Sequence, residues 1–151
     1  MPIRCEIVSQ DRMVFEGDAD IVVVPGVSGE MGILPNHAPL LSTLKFGFLR
    51  VRYKGEEQVY TIAGGIIEVQ PDLITIMADA AENVQEIDVA RAESARQRAV
   101  ELLKQGAPLG ADANMAIEAA LRRSNLRLAA VKRYRRGQSP GHPGVEKKDT
   151  K

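Results

Sequence analysis

The sequence predicts an α+β protein in which an N-terminal all-β sandwich is followed by an antiparallel hairpin of two helices. Up to about residue 84, short apolar and β-branched runs alternate with Gly, Pro and Asp, which is typical of a sandwich or barrel. From residue 87 onward, apolar residues recur every three or four positions, which is typical of amphipathic helices. A chain of 151 residues has room for one compact domain with an appendage.

Charge divides the chain at the same place. Residues 1–86 hold 13 acidic and 6 basic side chains, whereas residues 87–151 hold 7 acidic and 14 basic side chains, so the net charge of zero hides two opposite halves. The lone Cys5 excludes an internal disulfide and fits a reducing compartment. The start lacks the pattern of a signal peptide, and no run approaches the roughly 18 apolar residues of a membrane span. We therefore expect a soluble chain that reaches a membrane only through partners.

Strands are expected throughout residues 1–86, which we interpret as a two-layer β-sandwich. Residues 53–58 predict a hairpin between the strands on either side. Gly64 and Gly65 match no phosphate-loop pattern, so they predict a sharp turn. The expected strands cover residues 3–8, 13–16, 19–24, 40–44, 48–53, 58–63, 66–69 and 73–78.

Two helices are expected in residues 87–136. Asp88 is predicted to cap the first helix, which should end near Gly106, and Asp112 is predicted to cap the second. An Ala methyl contributes on the order of 1 kcal/mol at most on burial, so a hairpin lined by Ala should be weakly held. Residues 137–151 are rich in Gly, Pro, Ser and charge, which predicts disorder. The facing stripes comprise Val89, Ala92, Ala95, Ala99, Leu102 and Leu103 in the first helix, and Ala113, Ile117, Leu121, Ser124, Leu128 and Val131 in the second.

The sequence contains little that could carry catalysis. His37 and His142 are the two histidines, and the patterns H-E-x-x-H, C-x-x-C and G-x-S-x-G do not occur. We expect a non-catalytic protein that holds no metal and requires no cofactor.

Residues 29–40, with the sequence G-E-M-G-I-L-P-N-H-A-P-L, form the most distinctive segment. Their Gly and Pro residues alone predict a rigid loop that closes the sandwich, or a contact loop for a partner. The stretches Y-T-I-A-G-G-I-I-E-V at residues 60–69 and I-T-I-M-A-D-A-A-E at residues 74–82 follow in order. Together with the helix pair, these stretches resemble the epsilon subunit of bacterial and chloroplast F-type ATP synthases over residues 2–135.

The resemblance implies a rotor subunit in the central stalk of a proton-translocating ATP synthase, peripheral on the cytoplasmic face of the bacterial plasma membrane. The sandwich would couple the gamma subunit to the c-ring. The helices would fold down against it or extend toward the alpha and beta subunits of the catalytic head, where they block ATP hydrolysis. The implied c-ring contact loop comprises Met31, Gly32, Ile33, Leu34, Pro35, Asn36 and His37.

Basic residues on the second helix would favour an acidic surface on the head. The residues concerned are Arg122, Arg123, Arg127, Lys132 and Arg133. Taken alone, these side chains also fit a solvated helix face.

Some bacterial members of this family bind ATP through an I-D-x-x-R-A motif, which residues 87–92 reproduce. The resemblance thus implies a regulatory ATP site, although Asp88 also has a structural role as a helix cap. The implied site comprises Glu82, Asp88, Arg91, Ala92, Arg98, Arg123 and Arg127.

A stand-alone interaction module whose basic helix binds nucleic acid is the alternative from another class. The dense basic run at residues 122–136 favours it. The acidic first half and the aromatic content of 4%, without Trp, argue against it.

Overall fold

A computed structural model describes residues 1–106 and 110–135, in which a β-sandwich is followed by two α-helices. The predicted α+β class is confirmed. The strands are β1 (Ile3–Val8), β2 (Met13–Ala19), β3 (Ile21–Gly26), β4 (Gly29–Ile33), β5 (Leu40–Tyr53), β6 (Glu56–Val69), β7 (Leu73–Ala78) and β8 (Ala81–Asn83). A 3₁₀ turn (Val84–Glu86) leads to the helices α1 (Val89–Lys104) and α2 (Ala111–Tyr134).

The long strands β5 and β6 join the two layers of the sandwich. Each has 14 residues, and they pair antiparallel in a single register from Leu40 opposite Val69 to Tyr53 opposite Glu56, interrupted only where Lys45 lies opposite Gly64. One half of this ribbon extends into the order β2-β1-β7-β6-β5, in which β1 and β7 run parallel. Its other half pairs with β8 on one side and with β3 and β4 on the other.

The core fills the space between the layers. Every second residue of β1 is buried, which is the period expected of a strand with one face turned inward. The thiol of Cys5 is completely buried, and this burial raises its pKa to about 12. The reading of Cys5 as a strand residue is therefore confirmed. The largest fully buried side chains include Tyr60, Ile3, Ile7, Ile33, Leu49, Ile62 and Ile67.

Several predicted strand limits are wrong. The predicted pairs at 40–44 and 48–53, and at 58–63 and 66–69, are single strands, because glycine bends the backbone there without breaking the ladder. Gly64 and Gly65, with φ of +87° and +138°, thus lie inside β6 rather than in a turn. The strands β4 and β8 were missed, since a Gly-rich segment and a three-residue strand give little periodic signal.

The sequence correctly predicted the limits of α1 but not the residue that caps α2. Asp88 caps α1 by accepting a hydrogen bond of 3.0 Å from the Arg91 amide. Gly106 follows the helix with φ of +55°, the left-handed conformation common after a helix end. The N-cap of α2 is Gly110, so the prediction that Asp112 caps this helix is wrong. Asp112 lies within the first turn, where a carboxylate is favoured by the helix dipole.

Helix α2 packs between the sandwich and α1. It contacts β5, β6 and the 3₁₀ turn, whereas α1 packs mainly against α2. The buried helix residues are Ala92, Ala99, Ser124 and Ala130. Of the residues predicted to face the seam, Val89 and Leu103 are 41% and 37% exposed, and Leu102 is 44% exposed at the edge of the seam, where it lines a groove with Ala99 and Ile117. The expected tail at residues 137–151 lies outside the described residues.

Candidate functional site

A cleft of about 260 Å³ opens between the β1–β2 turn, β8 and α2. Three arginines and three carboxylates belong to its lining, so opposite charges surround the space in equal number. These residues are Asp11, Arg12, Asp79, Glu82, Arg123 and Arg127.

Glu82 and Arg127 join the two walls of this cleft. The Arg127 Nε donates to Glu82 Oε2 at 2.8 Å, although 45 residues separate them in sequence. The side chain of Arg127 is 40% exposed and that of Glu82 is 26% exposed, so water screens the pair and its contribution to stability is modest. An anion bound in this cleft would compete with Glu82 for the Arg127 guanidinium.

The residues implied for ATP binding divide into two groups. Glu82, Arg123 and Arg127 meet in the cleft. Asp88, Arg91, Ala92 and Arg98 belong to the start and outer part of α1 and are not in its lining. The Asp88 carboxylate caps the helix, and Ala92 is buried. Within residues 1–106 and 110–135, no three His, Cys, Asp or Glu side chains are arranged to hold a metal ion.

The basic residues of α2 point in different directions. The Arg122 guanidinium lies 4.1 Å from the ring centroid of Phe46, and that of Arg133 lies 5.8 Å from Phe48. Arg127 pairs with Glu82, whereas Arg123 and Lys132 are exposed. In this arrangement, three of the five residues expected to contact a partner contact the chain's own sandwich instead.

A second apolar cluster lies where α2 meets the sandwich. Val84, Ile87 and Ala130 are buried there, with Val59 and Val131 partly buried against them. Phe48 and Tyr134 complete the cluster, their rings 5.3 Å apart and nearly perpendicular. Sequence reasoning missed Phe46, Phe48 and Tyr134. No periodic signal marked these contacts, because Phe46 falls between two expected strands and Tyr134 lies near the end of the expected second helix.

The predicted contact loop is partly a strand. Met31, Gly32 and Ile33 belong to β4, and Ile33 is 1% exposed in the core, so it can fix the loop but cannot present its side chain. Leu34 begins the turn and is 56% exposed.

The turn that follows Leu34 is fixed by local hydrogen bonds. The Asn36 amide donates to the Pro71 carbonyl at 3.0 Å, with Asn36 at a φ of +61°. The His37 ring lies 2.7 Å from the carbonyl oxygen of the next residue, Ala38. Pro35 is half-buried beside it.

An apolar row crosses the outer face of the β1–β7 layer. The pairing registers place Met13 beside Val8, Val8 beside Met77, and Met77 beside Ile66. Met13, Met77 and Ile66 are 49%, 45% and 44% exposed. Leu41 lies farther along β5 with 71% exposure. Aligned apolar side chains on an open sheet face are typical of a partner interface, and sequence reasoning did not identify this one.

Relatives of known family match both the sequence and the fold. The profile of the family described as "ATP synthase, Delta/Epsilon chain, beta-sandwich domain" matches residues 2–84. The chain is 40% identical to an ATP synthase epsilon chain of Dehalococcoides mccartyi, covering 95% of this chain and 98% of that one. It is 42% identical to the epsilon chain of Herpetosiphon aurantiacus, covering 91% and 100% respectively.

A solved ATP synthase structure contains a chain with a similar fold. A chain in the cryo-EM structure of the Euglena gracilis mitochondrial ATP synthase, containing OSCP, F1 and the c-ring, matches with a TM-score of 0.71 at 26% identity, covering 86% of this chain and 81% of that chain. No helix within the described residues is both long and apolar enough to cross a bilayer. The chain therefore belongs to the epsilon-chain family of the F-type ATP synthases.

Proposed function

We propose that this chain, a non-catalytic epsilon subunit of the central stalk, couples the gamma subunit to the c-ring and restrains ATP hydrolysis through its helices. The observation that carries the proposal is the exposed apolar row of Met13, Val8, Met77 and Ile66 on the sandwich. A subunit that rotates with gamma needs a binding face that is independent of its regulatory helices. This row lies on the layer that α2 does not cover.

The turn at residues 34–37 is the proposed contact with the c-ring. Leu34 is exposed at its start, while hydrogen bonds through Asn36 and His37 hold its backbone. A preorganised turn loses little conformational entropy on binding, which favours its use as an interface. Through such contacts the chain would be peripheral to the membrane, on the cytoplasmic face in a bacterial cell.

Regulation would come from the basic residues of α2, which would exchange contacts with the sandwich for contacts with the catalytic head. Arg122, Arg127 and Arg133 contact Phe46, Glu82 and Phe48 while the hairpin is docked. Undocking would free these cations for the alpha and beta subunits of the head. Docked and extended forms of the hairpin would therefore compete for the same side chains.

ATP would stabilise the docked form by binding in the cleft with Arg123 and Arg127. A ligand that binds one form alone stabilises it by about 2.7 kcal/mol when its concentration is 100 times the dissociation constant. Bound ATP would therefore oppose inhibition. The cleft is the part of the implied ATP site that the docked arrangement brings together.

Assembly tests the coupling role. Met77→Glu places a charge in the apolar row and should abolish recovery of gamma with the tagged chain from detergent-solubilised membranes. Val27→Glu is the matched control, because Val27 is 59% exposed in the turn between β3 and β4. Equal recovery of gamma with Met77→Glu and wild type would refute the proposed gamma face.

Truncation separates coupling from regulation. Deleting residues 87–151 should preserve assembly and proton-coupled synthesis while changing the rate of ATP hydrolysis. Failure of the truncated chain to join the complex would refute this division of roles.

Calorimetric titration tests the ATP site. Arg123→Ala should weaken ATP binding by the isolated chain, since a charge-assisted contact to phosphate contributes roughly 1.5–3 kcal/mol. Lys132→Ala removes the same charge from an exposed position outside the cleft and should bind as wild type does. No ATP binding by wild type at millimolar concentration, or equal affinity in Arg123→Ala, would refute the site.

A further inference from the structure

The last turns of α2 hold the hairpin on the sandwich. The Tyr134 ring meets Phe48 edge to face at 5.3 Å, and the Arg133 guanidinium lies within 6 Å of both ring centroids, at 5.2 and 5.8 Å. Arg135 Nη2 donates to the carbonyl oxygen of Ile87 at 2.8 Å. We name the group formed by Phe48, Arg133, Tyr134 and Arg135 the aromatic clasp.

The position of the aromatic clasp gives it control over both helices. Ile87 lies in the short segment between the 3₁₀ turn and α1, so the Arg135 hydrogen bond ties the end of α2 to the point where the hairpin leaves the sandwich. Since α1 packs mainly against α2, the docked position of α1 depends on that of α2. Release of the end of α2 would therefore loosen both helices.

Away from the clasp, the fully buried residues of the hairpin are small, and larger side chains such as Ile117, Leu121 and Leu128 are only partly buried. Ala92, Ala99 and Ser124 are the buried residues of the seam away from the clasp. Beneath the clasp, in contrast, Val84 and Ile87 are buried together with the wholly buried Ala130. Burial energy follows apolar area, so the attachment of the hairpin is concentrated at its C-terminal end.

We propose that the aromatic clasp sets the equilibrium between the docked and detached hairpin, and that the hairpin opens at the last turn of α2. The link to inhibition rests on the proposed function, but the clasp itself is a property of the isolated chain. Edge-to-face rings and a cation over their faces are mutually favourable, so removing the Tyr134 ring weakens the Phe48 and Arg133 contacts together.

Hydrogen exchange of the isolated chain tests the clasp without any partner. Tyr134→Ala should lower the protection of amides along the whole of α1 about tenfold, equivalent to about 1.4 kcal/mol. Amides of β6 and β7 in the sandwich should keep their protection. Tyr134→Phe retains the ring and should behave as wild type does.

A second pair of variants removes equal charge inside and beside the clasp. Arg133→Ala should lower the protection of α1, whereas Lys132→Ala, at an exposed neighbour, should not. Faster exchange confined to the last turn of α2 would overturn the proposal, because it would show a local contact without control of α1. Unchanged exchange in both Tyr134→Ala and Arg133→Ala would also overturn it. A chain that passes this test but fails to assemble with gamma would refute the proposed function alone.

Discussion

Substitution of Gly65 by Ala should destabilise the sandwich more than any other Gly→Ala change in β6. Gly65 has a φ of +138°, and an added Cβ would overlap the Met77 carbonyl oxygen and lie 2.8 Å from Ala78 Cα. Those atoms belong to the backbone of β7, which pairs with β6 at this point. Relief would therefore require displacement of a strand rather than rotation of a side chain.

The magnitude follows from two costs. A residue other than Gly in this backbone region costs on the order of 1–3 kcal/mol. Forcing extra volume into a packed region costs about 1–3 kcal/mol more. The free energy of unfolding should therefore fall by roughly 2–6 kcal/mol, a large part of the ~5–15 kcal/mol typical of a domain.

Gly55 and Gly64 supply graded controls. Gly55 has a φ of +79° with nothing within 4 Å, so Gly55→Ala should cost only the backbone strain of about 1–2 kcal/mol. An added Cβ at Gly64 would lie 2.7 Å from Asp79 Oδ2, at the end of a side chain that can move, so its cost should be intermediate. Urea unfolding followed by circular dichroism measures all three. A loss at Gly65 equal to that at Gly55 would refute the steric reasoning.

Three further predictions concern other parts of the chain. Arg122→Ala should weaken docking of α2 by about 0.5–1 kcal/mol through loss of the contact with Phe46, measured as lower amide protection in α2; protection equal to wild type would contradict it. Ala99→Leu should overpack the helix seam at a cost of about 1–3 kcal/mol, whereas Met115→Ala, at a 67% exposed position of α2, should change helix protection little; equal effects would contradict the packing argument. Burial raises the pKa of Cys5 from 9.0 to about 12 and that of Tyr60 from 10.0 to about 12, so the folded chain keeps protons that the unfolded chain loses. Its stability should therefore fall as the pH rises from about 9 to about 12, and the fall should be shallower in Cys5→Ala; identical slopes of unfolding free energy against pH would refute the role of the thiol.

The fold class followed from periodicity, but the limits of elements did not. Alternation along β1 and β7 placed both strands correctly, because each buries one face. A Gly-Gly pair such as Gly64 and Gly65 is compatible both with a turn between two strands and with a bend inside one strand. Only the pairing of β5 with β6 distinguishes these two possibilities. Long-range pairing is not encoded in a local pattern.

The candidate site was predictable only as a set of residue types. The family resemblance implied that Glu82, Arg123 and Arg127 serve one ligand, and the structure brings them to one cleft. The Asp88 cap was predicted correctly, but nothing local could show that α1 would lie outside α2 and leave Asp88, Arg91 and Arg98 out of the cleft. Likewise, Phe48 and Tyr134 lie 86 positions apart, and their contact exists only because α2 docks on β5.

The continuous ribbon of β5 and β6 determines how the sandwich carries torque. Its 14-residue strands extend for about 45 Å along the chain path, at roughly 3.3 Å per residue, and the end formed by Leu40 and Val69 lies beside the turn proposed to contact the c-ring. A twisting force applied at that turn loads the hydrogen bonds of this ladder in parallel, so they resist shear together. The two layers share the same strands and cannot slide past one another without rupture of the ladder. Rotation entering at one end of the sandwich would therefore reach the other end with little elastic lag.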